Sequence, residues 1–236
     1  MSDVVGDVVG DAVGDAVNDV ELVRSALLAP QAPALDLPVP RFTRALDQLH
    51  EEVLARFRHL GLDAGTAEAT LADVPRKVAA YGDGIDVPWL LGLARADVVA
   101  LGRLQFERVA GTDGHAVHLP EAGPLSDEAV EDSLARAVEV LGAREFHCTS
   151  WLLDPLLPPT LGPASGIVRF AERFALGPVE RGEEGDRAVA KFVFRRPLRE
   201  VLDLVEPRTR LERLVVGHLR AGGHWSEPRG SLSAQG

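Results

Sequence analysis

Between Leu101 and Leu176 the apolar positions change period from two to helical spacing and back. Leu104 and Phe106 alternate with Arg103, Gln105 and Glu107, which predicts a half-buried strand. Gly111-Thr112-Asp113-Gly114 supplies a turn, and His115 to Leu119 is predicted to return antiparallel. Pro120-Glu121-Ala122-Gly123-Pro124 breaks the chain. Ser126 or Asp127 is then placed to cap a helix carrying Val130, Leu134, Ala137, Val138 and Leu141, with Gly142 as its stop. Phe146 to Leu153 is apolar-rich and short, the signature of a buried strand, and Asp154-Pro155 ends it. Strand 115–119, helix 126–141 and strand 146–153 make a β-α-β crossover, so the two strands are expected to be parallel. With the preceding hairpin this is a mixed α/β sheet. A helix is expected over 165–174.

Upstream, Phe42, Leu46, Leu49, Val53, Phe57 and Leu60 fall on one helical face, closed by Gly61. A second helix is predicted over 66–81, interrupted at Pro75, and a short third one from Asp86-Pro88 through Leu93. Downstream, 179–194 reads as a hairpin with one apolar face, and 208–219 as a helix with Leu211, Leu214, Val215 and Leu219 on one side. The arginines of that helix are read as a solvated face with cations suited to a helix C-terminus. Residues 1–20 are a near-repeat with an aspartate at every fourth position from Asp3 to Asp19. The oxygen ligands are too sparse for a calcium loop, and Gly6, Gly10 and Gly14 weaken a helix. The expectation is a loose tail, helical in part over 17–28, followed by an extended linker at Pro30, Pro33, Pro38 and Pro40.

The net charge of −11 argues against non-specific nucleic-acid binding. Cys148 is the only cysteine, which excludes an intrachain disulfide and favours a reducing, cytoplasmic compartment. No apolar run is long enough to span a bilayer, and no secretory signal is expected. Phosphate-binding glycine motifs are absent, and Gly162-Pro163-Ala164-Ser165-Gly166 lacks nucleophile-elbow spacing, so Ser165 is read as a cap. His115 and His118 point to opposite faces of a strand, as do His147 and Cys148, so neither pair is expected to hold a metal. The turn at Pro120–Ser126, ending at a helix N-terminus, is compatible with a phosphate group.

Leu101-Gly102-Arg103-Leu104-Gln105-Phe106-Glu107, His118-Leu119-Pro120 and Ser150-Trp151-Leu152-Leu153-Asp154-Pro155 resemble bacterial acyltransferase-domain-containing proteins. Those join a helical N-acyltransferase-like N-terminal domain to a GCN5-related N-acetyltransferase-like C-terminal domain. The resemblance implies an α+β or α/β mixed-sheet fold with the helical region packed on the acetyltransferase-like domain. Its expected division is a disordered tail and linker over 1–40, helical domain over 41–100, acetyltransferase-like domain over 101–225, and loose tail over 226–236. It implies acyl-CoA or acetyl-CoA as co-substrate, no metal, and transfer to an amine of a small-molecule or other acceptor. Pantetheine would run along 115–119, with His118, Leu119, Gly123, Leu125 and Ser126 around the co-substrate. Glu107 would be the general base, a backbone N–H near Leu119 would serve the oxyanion, and Ser150 or Cys148 would protonate the thiolate. Two departures stand out. Pro124 removes an N–H donor from the loop, and Ala171 stands where the family often has a tyrosine acid. These departures keep open an inactive binding or regulatory protein as the alternative.

Overall fold

The computed structural model describes residues 17–204 and 206–234. The chain divides into two units, Met1–Ala100 and Leu101–Gly236. The glycine-aspartate repeat before residue 17 lies outside the described residues.

In the first unit the expected loose tail and linker are ordered from residue 17 onward. Helix α1, described over residues 17–28, buries Val23, Ala26 and Leu27, and Leu35 and Leu37 of the proline-rich stretch are also buried. Arg95 explains much of this. Its guanidinium, 2% exposed, donates to Ala26 O at 2.5 Å and Ala29 O at 2.9 Å, at the end of α1 where carbonyls lack helical partners. Asp97 balances its charge at 2.6 Å, and Asp19 in α1 holds Arg41 at 2.7 Å. Composition gave no hint of these long-range partners. The helix expected over 42–60 is two, α2 (Val39–Gln48) and α3 (His50–His59), because the chain breaks at Leu49 while keeping its apolar face buried. α4 (Ala64–Leu71) starts at Asp63, whose carboxylate accepts Thr66 N–H at 2.7 Å. α5 (Asp73–Tyr81) places Pro75 in its first turn, where a missing N–H does no harm. α6 is Val87–Ala94.

The sheet has six strands in the order β1-β2-β3-β4-β6-β5: β1 (Val98–Leu101), β2 (Leu104–Glu107), β3 (His115–His118), β4 (Glu145–Thr149), β5 (Ala175–Leu176) and β6 (Arg229–Ser233). β2 and β3 are antiparallel, as the hairpin pattern predicts, and β3 and β4 are parallel through α7 (Asp127–Leu141). Ser126 caps α7 by accepting Ala129 N–H at 3.3 Å, and Gly142 ends it at φ +67°. Buried Ser133 of α7 pins the turn before β2: its hydroxyl accepts Arg103 N–H at 2.7 Å and donates to Ala129 O at 2.6 Å. Gly102, at φ +80°, is required there because a Cβ would press on that hydroxyl.

Several elements after β4 differ from the reading of the sequence. The strand expected over 146–153 stops at Thr149, and Trp151–Leu153 forms a single 3₁₀ turn. α8 (Leu157–Leu161) and α9 (Gly166–Ala171) follow, α9 being shorter than the helix expected over 165–174. The hairpin expected over 179–194 is instead α10 (Glu183–Val189) and a π-helical turn at Ala190–Phe194. α11 (Leu198–Leu204) and α12 (Arg210–Arg220) complete a helical layer. Its core holds Trp151, Leu157, Val189, Val201, Val215 and Trp225. α12 opens with a reciprocal capping box between Thr209 and Glu212. The expected loose tail from Ser226 contains β6, which pairs with both β4 and β5. Two buried carboxylates lead it in. Asp154 accepts Ser226 N–H at 2.8 Å and Ser226 Oγ–H at 2.6 Å, and Asp186 accepts Trp225 N–H at 2.8 Å.

Candidate functional site

The parallel ladder between β3 and β4 is short. Its register pairs His115 with Phe146 and Ala116 with His147 and ends there, whereas β4 and β6 share five pairs from Glu145↔Ser233 to Thr149↔Arg229. His118, Leu119 and Thr149 therefore lie beyond the paired stretch.

Alternation assigns every strand residue to a face. Gln105 pairs with His118 and Phe106 with Val117, so Glu107, Ala116 and His118 share one face. The β3–β4 register adds His147 to that face, and the β4–β6 register adds Thr149 and Arg229. On this face His118 Nε2 lies 3.4 Å from Glu107 Oε1. The hydrogen bond from His118 holds the Glu107 carboxyl below the usual carboxylate range. Partial burial opposes this, and the charges of His118, His147 and Arg229 add to it. Arg229 also pairs with Asp113 in the β2–β3 turn at 2.8 Å.

The opposite face is apolar. Phe106 and Phe146 pack with ring centroids 5.6 Å apart, and Cys148 is buried among them, its thiol pushed up to about 12 by burial. Cys148 therefore lies across the sheet from Glu107. The fold does not bring those two sequence-predicted residues together. His115 also faces away, its Nδ1 2.8 Å from Glu107 O. Ser150 sits past the end of β4, and its hydroxyl accepts Leu152 N–H at 3.1 Å as the cap of the 3₁₀ turn. The fold does bring Glu107 and His118 together. Reading the sequence missed His147 as part of the same face, because its partners there belong to β2 and β3.

The Pro120–Ser126 loop joins β3 to α7. Gly123 adopts φ +65° with open space where a side chain would project. Arg103 ties both ends of the loop, donating to Pro120 O at 3.0 Å and Pro124 O at 3.2 Å. α9 meets the loop at Gly166, where any Cβ would run into Leu125 O. Asp127, in the first turn of α7, pairs with Arg169 at 2.8 Å and Arg173 at 3.4 Å. Two guanidinium groups thus flank a helix N-terminus whose own first turn carries Asp127 and Glu128. No cluster of potential metal-ligating side chains occurs among the described residues. Among the same residues, no helix is long and apolar enough to cross a membrane.

Residues 98–232 match the family described as GNAT-like C-terminal domain. The chain is similar to a crystallised acyltransferase in complex with decanoyl-CoA and teicoplanin. The identity is 28% and the TM-score 0.76, over 92% of this chain and 76% of that one. An acyltransferase in complex with decanoyl-CoA is similar at 30% identity and a TM-score of 0.75, over 93% of this chain and 76% of that one. A further 27% identity over 143 residues, 57% of this chain, relates it to a TATA box-binding protein-associated factor of RNA polymerase I from Mus musculus. The chain covers 16% of that protein's length.

Proposed function

This chain belongs to the GNAT-like C-terminal domain family, and on that premise we propose that it is an acyl-CoA-dependent acyltransferase that moves an acyl group onto an amine. The observation that carries the reading is the Glu107–His118 pair, 3.4 Å apart, where the β3–β4 ladder ends. Direct transfer needs a group that takes a proton from the attacking amine, donors for the oxyanion, and a proton for the departing thiolate. Glu107 is ionised at neutral pH, and a carboxylate held low is a weak base. Its role is to orient the His118 imidazole and to stabilise positive charge on it, so that the pair accepts the amine proton. A backbone N–H near Leu119, beyond the ladder, would serve the oxyanion.

The loop fits an acyl-CoA substrate in part. Gly123 lets a phosphate approach the backbone, and α7 offers first-turn N–H groups. Pro124 withholds one donor, and the guanidinium groups of Arg103, Arg169 and Arg173 surround the loop, the last two ion-paired with Asp127. His118, Leu119, Gly123, Leu125 and Ser126 line this reading of the co-substrate path. The complexes of the similar acyltransferases favour a medium-chain donor such as decanoyl-CoA. A second reading, a binding protein without turnover, draws on Pro124 and on the acids Asp127 and Glu128 beside the phosphate position.

The deciding experiment incubates the protein with acyl-CoAs of graded chain length and a panel of amines, following free thiol and amide together. Equal release of CoA and amide is expected. Tight acyl-CoA binding with no thiol release at any chain length would establish the second reading instead.

A further inference from the structure

We propose that His147 is the catalytic acid that protonates the departing thiolate, a role that rests on the acyltransferase reading above. Three observations meet at this side chain. First, the registers set Glu107, Ala116 and His147 in a row across β2, β3 and β4, facing the same way. The middle residue is an alanine, so only a methyl group stands between the carboxylate and the second imidazole. Second, the Nδ1 of His147 is shielded from solvent and has no hydrogen-bond partner among the described residues. Two other histidines show the contrast: His115 Nδ1 lies 2.8 Å from Glu107 O, and His224 Nδ1 lies 2.7 Å from Asp186. A shielded polar atom left unpaired is destabilising, and such an atom in a native fold calls for a role. Third, the charge of His147 contributes to holding the Glu107 carboxyl low, so the two groups are electrostatically in reach.

Cys148 is buried on the other face, and the Ser150 hydroxyl lies past the end of β4, where it accepts Leu152 N–H. The step balances as a relay. The amine nitrogen forms its bond to the thioester carbon, and the carbonyl pair moves to oxygen. The amine proton passes to the Glu107–His118 pair. The pair on oxygen then re-forms the carbonyl, the C–S bond breaks, and its electrons leave on sulfur, which takes a proton from His147. Transfer of the proton from Glu107–His118 to His147 restores the starting state. The products are amide and free thiol with no net proton change.

An alkyl thiolate is a basic leaving group that needs this proton, whereas an aryl thiolate leaves without it. The test compares acyl-CoA with the nitrothiophenyl thioester of the same acid, in wild type, His147→Gln and His147→Asn. With acyl-CoA, kcat should fall about 100-fold in both variants. With the aryl thioester the loss should stay below about fivefold, because no acid is required. An equal loss with both thioesters, or no loss with acyl-CoA, would overturn the assignment. Wild-type protein that consumes neither thioester would overturn the acyltransferase reading itself, a different result from either.

Discussion

His147 and Cys148 are adjacent in the chain, yet one strand sends them into environments with opposite chemistry. On the Cys148 side, Phe106, Val117 and Phe146 are buried and the residues serve packing. On the His147 side, Glu107, His118, Thr149 and Arg229 stay at least partly exposed, and their charges act on one another. The same backbone thus builds a core and a reactive surface, and a residue's usefulness depends on its parity along the strand. The thiol illustrates this. A cysteine just ahead of the Ser150–Pro155 stretch is a natural chemical candidate, but its parity makes it a small hydrophobe.

Substitutions on the two faces should separate stability from activity. The largest effect is expected at Phe146→Ala, which leaves a cavity against Phe106 and should cost about 3–5 kcal/mol of stability in a denaturant titration. Glu107→Gln should lower kcat/KM roughly 100-fold while leaving the denaturation midpoint nearly unchanged. A comparable fall in both would show that the polar face is structural as well. At the loop, Gly166→Ala drives a methyl group into Leu125 O and should weaken acyl-CoA binding roughly tenfold by calorimetry, about 1.4 kcal/mol. Acid titration should have a smaller effect. Glu107 is held below its ordinary value of 4.5 in the folded state. Its contribution is therefore present above that value and lost as pH falls through the lower folded one. With its side chain 49% exposed, the contribution should be under about 1 kcal/mol. It should vanish from the pH dependence of urea midpoints in Glu107→Gln. The smallest effect is expected at Cys148. The native protein should resist maleimide at neutral pH, and rapid labelling without unfolding, followed by mass spectrometry, would contradict the face assignment.

The elements that local signals can specify were legible in the sequence. Ser126, Gly142 and the apolar spacing between them mark α7, and the runs on either side follow as parallel strands. Elements whose state depends on distant partners were not. Ala188 to Phe194 alternates like a strand, but Val189 and Ala190 are buried against α11 and α12, and that packing favours a helix. β6 contains one large apolar residue, Leu232, so its strand character comes from the β4 and β5 edges it joins. The same limit applies to the site. Glu107 and His118 could be paired by reading a hairpin. Adding His147 needs the register of a parallel crossover, which alternation within a single strand does not carry.

The position of β6 also bears on how the protein is made. It lies between β4 and β5 although it follows both in the chain. While residues 229–233 are still inside the ribosome, neither strand can satisfy the edge that faces the other. At ordinary elongation rates of roughly 5–20 residues per second, those edges stay open for seconds during each round of synthesis. The strand that carries His147 gains its second neighbour only when β6 emerges. The polar face therefore completes late, and a nascent chain stalled before β6 would expose a pairing edge to its neighbours on the same polysome.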